Sequence, residues 1–137
     1  MRILYDTNVV VDVFLERGPF FRPAAQLFEA TAQGSLVGLL GATTVTTIHY
    51  LVAKVQNRQQ ARQKVKQILH LFEVATVNRV VLEAALESDF ADFEDAVLHE
   101  AGLRAGADGI VTRDGDDFAT ATIPVYTPSE LVEMLRQ

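Results

Sequence analysis

The sequence has no cysteine and no tryptophan among its 137 residues. Without cysteine it can form neither a disulfide framework nor a thiolate zinc site. It has no apolar run close to the roughly 18 residues that a membrane-spanning helix needs. The N-terminus also lacks the basic and apolar segments and the small-residue cleavage site of a secretory signal. These absences predict a cytoplasmic protein with no membrane partner.

Acidic residues are missing from Ala30 through Phe72, although the net charge of the chain is −6. Five basic residues fall inside this span: Lys54, Arg58, Arg62, Lys64 and Lys66. From Glu83 through Asp117 the balance reverses, with eleven acids against two arginines. The chain therefore has a basic middle and an acidic later segment. This pattern is compatible with a nucleic-acid partner and equally with ordinary solvated helix faces.

Short apolar runs alternate with helical patterns along the whole chain, which we interpret as one domain over residues 1–137. Strands are predicted at 3–5, 35–41, 72–77, 109–112 and 123–126, and helices at 8–14, 22–33, 43–54, 58–71, 78–86, 92–104 and from 127 onward. The segment 43–54 is rich in threonine and valine, which favour strands, but its place after a strand favours a helix. The alternation predicts an α/β fold, with a parallel sheet flanked by helices on both faces.

Three acids that are distant in sequence are expected to meet at one edge of this sheet. Asp6 directly follows the first strand, Asp114 directly follows the fourth, and Asp95 lies in the first turn of the helix opened by DFEDAV. Parallel sheets bind ligands beyond the carboxyl ends of their strands. Carboxylates that lie close together repel one another, and a hard divalent cation such as Mg²⁺ or Mn²⁺ relieves that repulsion.

Each of these acids also has a purely structural explanation. Asp6 could accept hydrogen bonds from the backbone of the next helix. Asp95 could simply stabilise a helix N-terminus, and Asp114, which precedes Gly115, could serve a turn. Taken singly, each acid favours the structural explanation, whereas their shared edge favours a metal site.

The segments DTNVVVD, DFEDAV and IVTRDGDDF, followed by IPVYTP, together resemble the PIN domain family over essentially the whole chain. This family includes metal-dependent ribonucleases, among them the VapC-like toxins of toxin–antitoxin pairs. The resemblance implies a five-stranded parallel sheet with a Mg²⁺ or Mn²⁺ site at one edge. By position it implies three catalytic metal ligands, Asp6, Asp95 and Asp114, a further metal ligand, Asp117, and two supporting residues, Asn8 and Thr112.

The chain departs from the family pattern in the helix after the second strand. The family commonly has a glutamate there, but TTVTTIHYLV contains no acid. Either His49 or Tyr50 falls at the glutamate's position, and the flanking apolar residues align better with Tyr50. In this respect the chain resembles a PIN subgroup with tyrosine or a similar residue in this helix. Asp12 or Asp117 could supply the missing charge, although Asp12 could equally face solvent.

The basic residues Lys54, Arg58, Arg62 and Lys66 recur every four positions. On one continuous helix they would form a ridge, and a helical break near Asn57 would remove Lys54 from it. We interpret Arg58, Arg62 and Lys66 as candidate RNA-binding residues, with a solvated helix face as the equal alternative. The apolar segment Val13–Phe21 could instead be core, or could bind an antitoxin or a second copy of the chain.

Two main functions follow from the resemblance. The first is a metal-dependent endoribonuclease that hydrolyses RNA, as the toxin of a type II toxin–antitoxin pair. The second is a PIN-like module of weak or no activity that binds RNA or protein, because the glutamate is missing. A haloacid-dehalogenase-type phosphatase also has an aspartate after its first strand, but it needs a second acid two residues on, where this chain has Asn8.

Overall fold

The computed structural model describes all 137 residues and shows one five-stranded parallel sheet, in the order β3-β2-β1-β4-β5. The strands are β1 (Arg2–Tyr5), β2 (Val37–Gly41), β3 (Glu73–Ala75), β4 (Gly109–Val111) and β5 (Val125–Tyr126). The helices are α1 (Thr7–Phe14), α2 (Phe21–Ala32), α3 (Ala42–Val55), α4 (Arg58–Leu71), α5 (Arg79–Leu86), α6 (Phe93–Arg104) and α7 (Pro128–Leu135). The predicted fold class is confirmed.

Several helices begin where a side chain can satisfy the free backbone N–H groups of the first turn. Asn57, Asn78 and Asp92 accept hydrogen bonds from Gln60, Val81 and Asp95 respectively. Thr127 and Glu130, the first and last residues of the segment TPSE, form a reciprocal capping box at α7. Segment 43–54 is helical despite its β-branched residues, so its position after β2 outweighs its local propensity.

The helices pack on both faces of the sheet because side chains alternate along each strand. Ile3, Tyr5 and Val111 belong to the larger core cluster, which α1, α2, α3, α4 and α7 cover. Leu4 and Ile110 point the other way, into a cluster that includes Leu98 of α6. Nearly all of these strand side chains are fully buried. The result is a three-layer arrangement of helices, sheet and helices.

The strand order creates a crevice between β1 and β4. The chain builds outward from β1 through β2 to β3, then crosses back to place β4 on the other side of β1. Connections leave β1 and β4 in opposite directions at this point, so the two loops after these strands splay apart. The predicted acids after β1 and β4 therefore lie at the place where open parallel sheets bind ligands.

Helix α3 ends before α4 begins, and this interruption changes the predicted basic ridge. α3 ends at Val55, and α4 begins at Arg58 after the Asn57 cap. Lys54 therefore belongs to a different helix from the other three basic residues and does not continue their ridge. No helix in the structure combines the length and the apolar character needed to cross a membrane.

Candidate active site

Asp6 lies at the end of β1 and caps α1. Its Oδ1 accepts a hydrogen bond from the Thr7 backbone N–H at 2.8 Å. Its Oδ2 accepts one from the Thr112 hydroxyl at 2.7 Å. Burial raises the pKa of the Asp6 carboxyl, and the charges of Asp114 and Asp117 raise it further, against the effect of these two hydrogen bonds. Asp6 is therefore both a helix cap and a buried carboxylate that lies near other negative charges.

Thr112 joins the end of β1 to the loop after β4. Its hydroxyl donates to Asp6 and accepts a hydrogen bond from the Asp114 backbone N–H at 3.0 Å. The side chain is completely buried, and its hydrogen bond to Asp6 forms away from water. One hydroxyl thus sets the distance between the first acid and the backbone that carries another.

Asp114 is exposed, and α1 holds its carboxylate. Asn8 Nδ2 donates to Asp114 Oδ2 at 3.0 Å. The resemblance matched Asn8 to a residue that supports the first acid, whereas this hydrogen bond goes to Asp114. Asn8 Oδ1 is buried and has no hydrogen-bond partner. Buried acceptors of this kind are uncommon in folded proteins, so this oxygen is available to a ligand.

Asp95 is half-buried in the first turn of α6, and its environment opposes ionisation. Desolvation raises the pKa of its carboxyl to about 7, with contributions from the charges of Asp6, Asp92, Asp117 and Glu94. The helix N-terminus favours a negative charge here, but it does not offset these effects. Asp6 and Asp95 are 89 positions apart in sequence, yet they lie close enough in the fold for the charge of Asp6 to raise the pKa of Asp95.

Asp117 lies on the short 3₁₀ turn after β4, Gly115–Phe118. Together with Arg113, Asp114, Gly115 and Asp116 it lines an open pocket of about 460 Å³. Its charge raises the pKa of both Asp6 and Asp95. The structure therefore brings all four predicted metal ligands into one acidic region.

The donor chemistry of this region suits a hard divalent cation. Its candidate ligands are carboxylate oxygens and an unpartnered amide oxygen, which Mg²⁺ and Mn²⁺ prefer. The side chains do not, as they stand, form a group of three or more ligands close enough to hold a metal ion. Asp114 and Asp117 are exposed, so a cation can reach their carboxylates from solvent.

Asp12 does not supply the missing negative charge. It is buried on α1, and its two oxygens accept hydrogen bonds from Arg113, at 2.8 Å from Nε and 3.3 Å from Nη2. The Arg113 guanidinium also lies 4.3 Å from the centre of the Phe20 ring. The sequence left open whether Asp12 approaches the acidic edge or faces solvent. In the structure Asp12 does not face solvent, and its carboxylate is not free at the acidic edge because Arg113 pairs with it.

His49 and Tyr50 make no hydrogen bond to any of the acids. Tyr50 is 62% exposed, and Lys54 Nζ lies 5.9 Å from its ring centre. His49 lines a second groove, between α3 and α4. This groove has a volume of about 600 Å³ and is lined by His49, Gln59, Arg62, Gln63, Val65, Lys66 and Leu69. α3 contacts the acidic region through Thr44, whose hydroxyl lies 3.0 Å from that of Thr7.

The three candidate RNA-binding residues share α4, and all three are exposed. Arg62 and Lys66 line the second groove, whereas Arg58 does not. None of the three forms an ion pair with an acidic residue of the chain. Their positive charges are therefore free for an external anion.

Comparisons with known proteins agree with this fold. The model of the PIN domain family matches residues 2–116, so the chain belongs to the PIN domain family. Ribonuclease VapC1 of Aquifex aeolicus is 24% identical over 137 residues, which covers 96% of this chain and 94% of the relative.

Two solved structures show the same fold. VapC20 of Mycobacterium tuberculosis, described as a sarcin–ricin-loop-cleaving toxin, has a TM-score of 0.72 at 19% identity, covering 90% of this chain and 98% of its own. A toxin–antitoxin complex from Klebsiella pneumoniae has a TM-score of 0.69 at 24% identity, covering 92% and 97%.

Two contacts around the site were not predicted from the sequence. The first is the hydrogen bond from Asn8 to Asp114, and the second is the ion pair between Asp12 and Arg113. A signal for the second was present, because Arg113 is one of only two bases among the eleven acids of the later segment. Asp12 also follows Asn8 by four residues, which places both on the same face of a helix.

Proposed function

We propose that this chain is a metal-dependent endoribonuclease that hydrolyses phosphodiester bonds in RNA. One observation carries the proposal: in a PIN domain, acids from separate elements meet at the sheet edge, where the charge of Asp6 raises the pKa of Asp95 and the charge of Asp117 raises the pKa of both. Buried acids that oppose one another in this way are typical of functional sites. Ribonucleases of this family generally use divalent metal ions, and we propose Mg²⁺ or Mn²⁺ here.

In this proposal Asp6, Asp95, Asp114 and Asp117 hold the cation and Asp6, Asp95 and Asp114 are the catalytic acids. The bound cation would polarise the scissile phosphate and lower the pKa of an attacking water. Thr112 and Thr7 hold the Asp6 carboxylate in one orientation through their hydrogen bonds. Asn8 holds Asp114, and its free Oδ1 faces no protein donor.

We propose Asp95 as the acceptor of a proton from the attacking water, because it is only half-buried. Its pKa of about 7 belongs to the metal-free site, and a bound cation would lower that pKa and keep the carboxylate ionised. Water oxygen then bonds to phosphorus, the phosphorus–oxygen bond of the leaving nucleotide breaks, and that oxygen takes up a proton. Asp6 is too buried and too fully hydrogen-bonded to exchange protons as readily.

The biological part of the proposal is that the chain is a cytoplasmic toxin of a type II pair, with a cognate antitoxin as partner, and that it forms a homodimer. Support for the antitoxin comes from the similar structures, which include toxin–antitoxin complexes. Residues 1–137 would act as one PIN-like domain. A small reading frame directly upstream that encodes an antitoxin-like protein would support the toxin role.

The proposal is tested by RNA cleavage with the purified chain in Mg²⁺ or Mn²⁺. We expect Asp6→Asn and Asp95→Asn each to lower the rate by about 100-fold, which corresponds to ~2.7 kcal/mol in the barrier. Asp108→Asn is the matched control. Asp108 lies at the opposite end of β4, and an asparagine there can still accept the 2.8 Å hydrogen bond from the Arg2 N–H.

A second candidate function is RNA or protein binding without cleavage. It is favoured by the absence of any acid in α3 and by the lack of a ready three-ligand group. If a nuclease-free preparation binds RNA but cleaves none with either metal, this candidate replaces the first. If cleavage persists undiminished in both aspartate variants, a contaminating nuclease is responsible and the enzyme proposal fails.

A further inference from the structure

Helix α1 contacts the loop after β4 at two points that lie one helical turn apart. Asn8 donates to the Asp114 carboxylate at 3.0 Å. Four residues later, Asp12 accepts two hydrogen bonds from Arg113, at 2.8 and 3.3 Å. Residues four apart lie on the same face of a helix. One face of α1 therefore holds two consecutive residues of the loop.

The pair between Asp12 and Arg113 is built as a rigid contact. The Asp12 side chain is 1% exposed, and that of Arg113 is 24% exposed. Two parallel hydrogen bonds fix the plane of a guanidinium as well as its distance. The Phe20 ring, 4.3 Å from the guanidinium carbon, covers Arg113 as well. Arg113 cannot move away without leaving a buried carboxylate unpaired, which is strongly unfavourable.

We propose that the Asp12–Arg113 pair positions the metal-binding carboxylates. Asp6 caps the first turn of α1, and Asp12 holds Arg113 from the following turn. The two acids at the ends of β1 and β4 are thereby held against one rigid helix. In this proposal the pair acts through the loop that carries the carboxylates and not as a ligand itself, and its effect on metal binding rests on the proposed function.

Positioning and simple electrostatics predict opposite results for the loss of Arg113. Arg113 is a cation that lines the same pocket as Asp114, Asp116 and Asp117. If only its charge mattered, its removal would strengthen the binding of a divalent cation. If its contact with Asp12 positions the loop, its removal weakens binding, because the carboxylates lose their fixed arrangement. The sign of the change separates the two explanations.

The test is a titration of the full chain with Mn²⁺ alone, followed by electron paramagnetic resonance of the free ion. We expect Asp12→Asn and Arg113→Met each to raise the dissociation constant about 10-fold, as is usual for residues that orient metal ligands. The double variant should lose no more than either single variant. Glu73→Gln, which removes the 2.9 Å ion pair with Arg2 at the opposite edge, should bind Mn²⁺ like the original chain.

A further variant, Phe20→Leu, keeps both charges and removes only the ring over Arg113. Phe20 is 40% exposed, so this variant should fold even if the loss of either charge prevents folding. We expect it to weaken Mn²⁺ binding by about 3-fold, in the same direction as the charge variants, since cation–π contacts are weaker than paired charges. Unchanged or tighter binding by the folded variants overturns the proposal.

Amide hydrogen exchange of residues 113–118 decides the matter without any metal. The pair predicts faster exchange at Asp114 and Asp117 in Asp12→Asn and Phe20→Leu, and no change in Glu73→Gln. Unchanged exchange contradicts the positioning role. If the original chain binds no Mn²⁺, the proposed metal-dependent function fails, and hydrogen exchange alone still confirms or overturns the rigid contact.

Discussion

Asp95 has an unfavourable environment for its charge when no cation is bound. It is half-buried, and Asp6, Asp92, Asp117 and Glu94 all oppose its ionisation. A raised pKa in the folded state means that folding is more favourable with the proton bound. The stability contributed by the neutral form is fully present at low pH and is lost as the pH rises through about 7. Asp95 thus destabilises the metal-free protein in mildly alkaline solution.

Asp95→Asn should therefore raise the stability of the folded chain, although we expect the same substitution to lower the rate of RNA cleavage. In a chelator at pH 8 we expect the melting temperature to rise by about 4 °C. This corresponds to ~1 kcal/mol, a value kept small because the carboxyl is partly exposed. Differential scanning calorimetry measures the shift. The reference is Asp108→Asn. If the melting temperature of Asp95→Asn is equal to that of the reference or lower, the charged Asp95 carboxyl does not destabilise the metal-free protein.

His99 connects α6 to the segment before β5. Its Nε2 accepts a hydrogen bond from the Thr122 backbone N–H at 3.2 Å, and its ring lies 4.8 Å from that of Phe90. The residue is 3% exposed, and its Nδ1 has no partner. Burial lowers the pKa of the imidazole, although Glu100 opposes the shift. A protonated ring would turn a donor toward the Thr122 N–H and break this contact.

The connection through His99 should weaken in acid. Because the pKa is lowered in the folded state, the unfolded chain binds the proton more tightly, so this stability is present above about pH 6.5 and is lost as the pH falls. We expect His99→Gln to reduce the difference in unfolding free energy between pH 7.5 and 5.5. Urea titrations at both pH values measure it.

The control for this experiment is His70→Gln, because His70 is exposed on α4. Asp95, with a pKa of about 7, also titrates in this pH range and makes folding more favourable as the pH falls. Only the difference between the original chain and each variant is therefore informative. A pH dependence that is identical in the original chain and in His99→Gln would contradict a buried neutral imidazole at this contact.

Charge is distributed unevenly over the whole molecule. The acids converge at the edge beyond β1 and β4, while Arg58, Arg62 and Lys66 project from α4 without intramolecular ion pairs. A chain with a net charge of −6 repels RNA on average, so any affinity for RNA has to come from this local excess of positive charge. We therefore expect binding that is strongly dependent on salt.

Removal of two of these charges should reduce both affinity and its dependence on salt. For Arg62→Gln with Lys66→Gln we expect a less steep dependence of the RNA association constant on salt. The magnitude of the negative slope of log K against log salt should decrease by about 1.4, or ~0.7 for each phosphate contact with single-stranded RNA. Fluorescence anisotropy with Asp95→Asn as background avoids cleavage during the measurement. Lys64→Gln is the matched control, since Lys64 lies on the same helix with its Nζ 5.3 Å from the Phe14 ring centre. A slope unchanged by the double substitution would leave α4 a solvated surface.

Local signals were sufficient to predict most of the fold. Strand and helix alternation determined the layers, and Asn78, Asp92 and Thr127 marked helix starts that the structure confirms. Lys54 is not part of the basic ridge because α3 ends before α4 begins. The sequence left open whether the helix is interrupted at this point. The strand after α4 is shorter than predicted, Glu73–Ala75, because an edge strand pairs only as far as its single neighbour allows.

The site was predictable in its residues but not in its contacts. Acids at strand ends can be found by position, because parallel strands share one carboxyl edge. Which side chain holds which carboxylate depends on how α1 rotates against the loop after β4. That rotation follows from packing of Val9, Val10 and Val11 in the core, which residue spacing alone does not specify.

The bridge through Thr44 has a consequence for how the molecule can vary. Among residues 15–91, Thr44 alone makes a side-chain hydrogen bond to the stretches that carry the acidic edge and its supports, Asp6–Asp12 and Asp92–Asp117. In the proposed function, the acids that would hydrolyse RNA and the basic residues that would bind it therefore lie in different stretches of the chain. We expect changes in the α3–α4 hairpin to alter RNA binding while the acids keep their neighbours. Target choice and bond hydrolysis would then be separately adjustable properties of one small domain.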